Sequence, residues 1–116
     1  LLLLSYEEDT LHLIYIYIRC HGYTAIHRRG SGDIWQGLWE PPLFEDKPLP
    51  QWSGHLKQLA TGVKHVLTHR ILLADFYLLD TDQRPPLPDD YIWVPESCLS
   101  DYAVPRLVEK LVETYL

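Results

Sequence analysis

The chain has 116 residues, of which 47% are hydrophobic and 22% charged, and its formal net charge is −6. This length suits one compact domain, and the composition excludes a disordered tail. The net charge excludes a protein that coats nucleic acid through bulk charge alone, and no apolar run reaches the roughly 18 residues of a membrane span.

The first predicted element is a strand over residues 11–19, where Ile and Tyr alternate with period two. Both sides of this segment are largely apolar, as in a strand that is buried on both faces. Gly22 marks a turn, so residues 23–28 are predicted to return as the second strand of a hairpin. A further glycine-rich turn leads into an aromatic stretch over residues 34–39.

Prolines follow the aromatic stretch and predict a loop up to residue 50. Ser53 is a suitable N-cap for a short helix over residues 53–60, with Leu56 and Leu59 pointing inward. Further strands are predicted over the β-branched and aromatic segments that come next. These segments are residues 63–68, 70–79 and 91–94.

The last predicted element is a helix that starts at Pro105 and carries apolar residues at helical spacing. The elements together predict an α+β domain, with a sheet of about five or six strands packed with two helices. We assign residues 1–10 to a linker and residues 11–116 to the domain. Since the chain begins with Leu1, we expect it to be part of a longer protein.

Basic and acidic residues are segregated along the chain. Residues 11–31 and 47–74 contain no Asp or Glu, yet they hold most of the Lys and Arg residues and all 6 His residues. If the two windows meet in space, an acidic protein carries one basic face. Chance clustering in a short chain is the alternative.

Catalytic signatures are absent from the sequence. There is no G-x-S-x-G elbow, no Walker sequence and no G-x-G-x-x-G fingerprint. His65 and His69 lie about 13 Å apart along a strand, too far for one metal ion, which favours structural or surface histidines. Cys20 and Cys98 have neither a zinc spacing nor a disulfide pattern, which predicts a reduced, intracellular protein.

Four segments in order resemble one known family. They are R-R-G-S-G-D-I-W-Q-G-L-W-E-P-P-L over residues 28–43, K-H-V-L-T-H-R over residues 64–70, Y-I-W-V over residues 91–94, and Y-A-V-P over residues 102–105. Together they resemble the C-terminal domain of the adenine DNA glycosylases of the MutY family, over residues 11–116. The resemblance implies a Nudix-like fold that recognises 8-oxoguanine opposite adenine.

The resemblance also implies which residues would contact DNA. Leu67, Thr68 and His69 stand where the family commonly has Phe-Ser-His, so Thr68 supplies the hydroxyl that would contact the lesion. The basic residues near this triplet and the arginine pair are predicted to contact phosphates. They are Arg28, Arg29, Lys57, Lys64, His65 and Arg70.

The tryptophans are predicted to serve mainly the core. A domain this small needs large buried side chains, so Trp35, Trp39 and Trp93 are assigned to the interior. Instead of contacting phosphate, Arg28 could stack on Trp35 or Trp39 and serve the structure. Trp52 lies between loop residues and is the tryptophan to examine for exposure.

The partners and cofactors follow from the same resemblance. The implied partners are double-stranded DNA containing 8-oxoguanine:adenine and the protein's own N-terminal catalytic domain, with no membrane partner. An iron–sulfur cluster is expected in that catalytic domain, while this chain is expected to hold no cofactor, no metal and no catalytic residue. The implied location is the bacterial cytoplasm, in association with the nucleoid.

A Nudix-type hydrolase of oxidised nucleotides is the main competing interpretation. Its catalytic box needs G-x₅-E followed by an R-E-x-x-E-E cluster, whose glutamates hold divalent cations. None of the 6 glycines here is followed by glutamate six positions later, and prolines occupy the place of the box helix. A non-catalytic Nudix-like module for protein interaction is the third interpretation.

Overall fold

The protein is described by a computed structural model, which covers residues 10–32, 35–45 and 49–116. Its strands form two sheets, and its helices lie at the C-terminal end. The strands are β1 (Thr10–Arg19), β2 (Tyr23–Arg28), β3 (Trp39–Glu40), β4 (Leu43–Phe44), β5 (His55–Leu67), β6 (Arg70–Asp80) and β7 (Tyr91–Pro95). A 3₁₀ helix (Glu96–Asp101) precedes the helix α1 (Arg106–Lys110), which continues as a π-helical turn (Leu111–Tyr115). The predicted α+β class is confirmed.

The larger sheet is built around β1. Its order is β4-β1-β6-β5, with β1 parallel to β6 and the other pairs antiparallel. Tyr15 and Tyr17 pack into one hydrophobic cluster, while Ile16 and Ile18 pack into another. The prediction of a strand buried on both faces is therefore confirmed.

The predicted hairpin between β1 and β2 is wrong. Apart from one bridge between Cys20 and Tyr23, β2 pairs with β3 and β7 in a separate sheet of order β3-β2-β7. β6 pairs with β1 over its whole length, and on the other edge β4 pairs only with Ile14 and Tyr15. After the turn, β2 leaves this sheet and takes its partners from the other one. The turn at His21 and Gly22 has φ values of 52° and 81°, and it carries the chain from one sheet to the other.

The predicted helix over residues 53–60 is also wrong, because β5 begins at His55 and pairs with β6. The free edge of β6 offers a long ladder of backbone hydrogen bonds, which outweighs the local helical pattern. The register shifts between Gln58 and Val63. At this irregularity, Asp75 accepts hydrogen bonds from the Thr61 hydroxyl and from the backbone N–H of Gly62.

The predicted C-terminal helix is confirmed and covers one face of the larger sheet. Leu107, Val108 and Leu111 are fully buried in the cluster that contains Tyr15 and Phe76. Pro105 lies immediately before the first helical residue. Within the described residues, no helix has the length and hydropathy needed to cross a membrane.

The tryptophans pack against the core as predicted, although none is completely buried. Trp35 and Trp39 contact the larger hydrophobic cluster, and Trp93 contacts the smaller one. Trp52 is half-buried and makes an edge contact with Phe44, at a distance of 6.0 Å between ring centroids.

Candidate nucleic-acid interface

The predicted recognition triplet lies at the tip of the hairpin between β5 and β6. Leu67 ends β5 and packs against the core, whereas Thr68 and His69 form the turn and are exposed. A two-residue turn cannot bury its side chains within the sheet, so the Thr68 side chain is accessible to a large ligand. A cavity of about 220 Å³ lined by residues 66–71 lies at this turn. We call Leu67, Thr68, His69 and Arg70 the hairpin tip.

The hairpin tip meets the loop that follows β2. Arg70 and Arg29 line the same cavity, which has a volume of about 270 Å³. Trp35, Gly32 and Glu45 also line it, and its apolar walls come from four leucines of the larger sheet and its edge. These are Leu11, Leu13, Leu43 and Leu72. The structure thus brings one arginine from each of the two basic sequence windows to the same cavity.

Arg29 is fixed by a buried carboxylate. Glu40 is 1% exposed, and Nη1 of Arg29 donates to both of its oxygens at 2.9 and 2.8 Å. The Tyr15 hydroxyl donates to Oε1 of Glu40 at 3.0 Å, and Nε2 of His27 lies 2.9 Å from Oε2. A buried charge is tolerated only with such pairing, so the three donors explain why a glutamate can occupy this site. We call these four residues the Glu40 network.

The imidazole of His27 lies between two acids. Its Nδ1 is 3.5 Å from Asp90, and its ring stacks on Tyr91 with 4.6 Å between centroids. The hydrogen bond to Glu40 raises the pKa of His27, and the negative charges of Glu40 and Asp90 act in the same direction against the opposing effect of burial. The protonated form, which donates from both nitrogens, is therefore favoured.

The Glu40 network also holds the loop between β2 and β3. The guanidinium carbon of Arg29 lies 5.5 Å from the centre of the Trp35 ring. The backbone N–H of Arg29 donates to the Leu38 carbonyl at 2.8 Å, and that of Gly37 donates to the Arg29 carbonyl at 2.9 Å. Of the arginine pair, Arg29 rather than Arg28 therefore stacks on Trp35.

Arg28 is exposed and turned toward the same loop. Its Nε donates to the Gly37 carbonyl at 3.3 Å. Gly37 has a φ of 80°, and a Cβ at this position would come within 3.4 Å of the Arg28 guanidinium. The contact with this flexible side chain would be an ordinary one, so it is the backbone conformation that favours glycine at this position.

The remaining predicted phosphate contacts are spread along β5. Lys57 pairs with Leu78 of β6, about 33 Å along the strand from Leu67, so it lies far from the hairpin tip. Lys64 is exposed and closer, and His65 is half-buried beside the C-terminal helix. Arg29 and Arg70 line one cavity, whereas Lys64 is adjacent to His65 along β5 and therefore lies on the opposite face of the sheet from His65 and Leu67. The contacts of these cations with phosphate stay predictions.

Arg106 and Lys110 of the C-terminal helix are cations that sequence reasoning missed. Burial lowers the pKa of His65, and the positive charges of Lys110 and Arg106 act in the same direction. The only sequence signal is their spacing of four residues, which puts them on one side of a helix.

The side chains that the structure describes do not form the divalent-metal centre of a Nudix hydrolase. In residues 10–32, 35–45 and 49–116, no three His, Cys, Asp or Glu side chains converge on a point that could hold an ion. Cys20 is buried and Cys98 half-buried, and both are free thiols.

The fold and the sequence together define the family. The model of the NUDIX domain family matches residues 14–114, and the chain belongs to this family. No curated protein matches the sequence.

Several solved structures share the fold. The C-terminal domain of mouse MUTYH, solved in complex with human PCNA, has a TM-score of 0.70 at 19% identity, covering 90% of this chain and 86% of that one. The MutT protein from Methanosarcina mazei Go1 has a TM-score of 0.63 at 16% identity, covering 92% and 93%. The NUDIX domain of Shewanella oneidensis NrtR, solved with ADP ribose, has a TM-score of 0.66 at 15% identity, covering 90% and 87%. At such identities the likeness shows the fold alone.

Proposed function

We propose that this chain is the lesion-recognition module of an A/G-specific adenine DNA glycosylase, and that its hairpin tip contacts 8-oxoguanine. The observation that carries the proposal is the exposed turn at Thr68 and His69, which presents the last two residues of the family-like triplet outward. Arg70 and Arg29 line a cavity next to this turn, where they are suited to contact the phosphate backbone.

The chemistry of the lesion suits a threonine hydroxyl. Oxidised guanine carries a carbonyl at C8 and a proton on N7, whereas normal guanine has an acceptor at N7. A hydroxyl both donates and accepts, so that of Thr68 accepts from the N7 proton or donates to the new carbonyl. Exposed backbone groups of a turn supply additional donors and acceptors beside it.

The proposed division of labour leaves base excision to another domain. The hairpin tip recognises the lesion, and cations around it supply affinity that falls with salt. The catalytic step, and the iron–sulfur cluster that the family resemblance implies, belong to an N-terminal catalytic domain that would be this chain's partner on DNA. Because the net charge is −6, binding depends on the local clustering of cations rather than on the total charge.

The direct test is to remove the hydroxyl and compare two duplexes. We expect Thr68→Val to reduce the preference for 8-oxoguanine:adenine over guanine:adenine by about 1–2 kcal/mol, or roughly 5- to 30-fold in relative affinity, because one polar contact is lost. Thr68→Ser keeps the hydroxyl and should keep the preference. Thr114→Val removes an exposed hydroxyl of the C-terminal helix and serves as the matched control.

The stability of the Thr68 variants is a necessary control. Because Thr68 is exposed, we expect Thr68→Val to change the free energy of unfolding by less than about 0.5 kcal/mol. Equal discrimination between the two duplexes by wild type and Thr68→Val would remove Thr68 from the mechanism.

A nucleotide pyrophosphatase is the second candidate. It is favoured by the family and by the cavity of about 270 Å³ between Arg29, Trp35 and Arg70. It is opposed by the missing catalytic box. Incubation with Mg²⁺ and 8-oxo-dGTP, followed by measurement of pyrophosphate release, distinguishes the two: turnover would favour the hydrolase.

A further inference from the structure

The C-terminal helix carries charges of opposite sign on its two sides. Glu109 and Glu113 line a groove of about 490 Å³ that the helix forms with residues 96–104. Arg106 and Lys110 lie on the other side, close enough to His65 of β5 for their charges to lower its pKa. We call Arg106 and Lys110 the helix cations.

The packing of the helix determines which side faces which element. Leu107, Val108 and Leu111 are completely buried and form a stripe that faces the larger sheet. The charged residues of the helix therefore lie on either side of this stripe. The acidic side is occupied by the groove with the 3₁₀ helix. The cationic side therefore overlooks β5, which is the edge strand of the sheet.

His65 connects the helix cations to the hairpin tip. Along β5, it lies on the same face as Val63 and Leu67, both of which pack against the cluster that contains Leu107 and Leu111. Thr68 follows His65 by three positions, which corresponds to about 10 Å along a strand. The helix cations thus lie beside the strand that ends at the proposed recognition turn.

The helix cations remain available to an anionic ligand, because the ion pair that Arg106 makes within the helix is weak. Arg106 is 84% exposed, and its distance of 3.9 Å to Glu109 is at the limit of an ion pair. Exposed pairs of this kind contribute little energy and are readily exchanged for a partner with higher charge density. Lys110 is exposed as well.

We propose that Arg106 and Lys110 contact phosphates of duplex DNA and extend the interface from the hairpin tip onto the C-terminal helix. The inference rests on the proposed function and adds a second contact region to it. The contacted phosphates contribute affinity but no selectivity.

The salt dependence of binding tests this inference. The 116-residue chain is titrated with a duplex containing 8-oxoguanine:adenine over a range of salt concentrations, and the logarithm of the association constant is plotted against that of the salt concentration. We expect Arg106→Gln and Lys110→Gln each to reduce the slope by about 0.9, the value for one phosphate contact, and the double variant by about twice as much.

The control variant removes the same charge elsewhere. Arg84 is exposed and lies over the rings of Tyr23 and Trp93 near the smaller sheet, so Arg84→Gln should leave the slope at the wild-type value. Far-UV circular dichroism and thermal unfolding of each variant verify that the fold is retained. The preference for oxidised over normal guanine should not change in either helix variant.

The possible failures are distinguishable. Slopes of Arg106→Gln and Lys110→Gln that equal those of wild type and Arg84→Gln would overturn the inference, while the lesion preference and its dependence on Thr68 would still support the proposed function. A wild-type chain that binds no duplex even at low salt would overturn the proposed function, and the inference with it.

Discussion

The hairpin tip and the Glu40 network place arginines at the same cavity by different physical means. Arg70 is exposed at the start of β6, whereas Arg29 is bound to a carboxylate that is 1% exposed. The position of Arg29 is thus part of the folded core, while the tip is held by a two-residue turn. Residues of the network should therefore change stability when replaced, and residues of the tip should change recognition.

The largest effect is expected from removal of the buried carboxylate. Glu40→Ala leaves the Arg29 guanidinium and the His27 ring without their shared partner, which should lower the free energy of unfolding by about 3–5 kcal/mol. Glu40→Gln keeps the shape but removes the charge, so its loss should be smaller. Urea unfolding measures both.

An exposed glutamate provides the control for Glu40. Glu113→Ala, on the C-terminal helix, should change the free energy of unfolding by less than about 0.5 kcal/mol. A loss of the same small size for Glu40→Ala would contradict the view that Arg29 is anchored by the core.

His27 is expected to make a smaller, pH-dependent contribution to the free energy of unfolding. Because its pKa is raised above the ordinary 6.5 in the folded state, the folded protein holds this proton more tightly than the unfolded chain does. The resulting stabilisation is complete below pH 6.5 and is lost as the pH rises through the higher folded value. Urea unfolding of wild type and of His27→Gln is measured between pH 5 and 9, roughly the range over which histidines titrate. The difference in free energy of unfolding between the two proteins should become smaller as the pH rises.

The difference between the two proteins isolates His27 from the other histidines. His65 has a lowered pKa, so its contribution to stability increases with pH, in the opposite direction, in both proteins. His12→Gln replaces an exposed histidine of β1 and is the control for loss of an imidazole, which should change the free energy of unfolding by less than about 0.5 kcal/mol. A constant difference for His27→Gln would show that its bonds to Glu40 and Asp90 do not favour the protonated ring.

The sequence predicts elements whose pattern is local. Alternation identifies β1, and helical spacing of apolar residues identifies the C-terminal helix. Prediction from the local pattern fails for β5, because Leu56 and Leu59 also fit a helix. The choice between helix and strand is made by pairing with the free edge of β6. Strand pairing between distant segments cannot be determined from the local pattern of either segment.

The same limit applies to the candidate site. The triplet at residues 67–69 is found from its resemblance to a family, but its place in a turn is settled by pairing with β6. The Glu40 network joins residues of β1, β2 and β3 that are far apart in sequence, and no spacing rule connects Tyr15 to Glu40. The helix cations are visible as an i, i+4 pair, yet only the packing of the helix places them on the side away from the groove that Glu109 and Glu113 line.

The central claim is that the hairpin tip distinguishes oxidised from normal guanine. The most direct measurement compares the amide chemical shifts of the isotope-labelled chain with two duplexes, which differ only in the oxidation of the guanine opposite adenine. The account predicts that the shift differences between the two complexes are concentrated at the amides of Leu67, Thr68 and His69. Differences that are absent there, or that are concentrated in β2 and β7 of the smaller sheet, would contradict it.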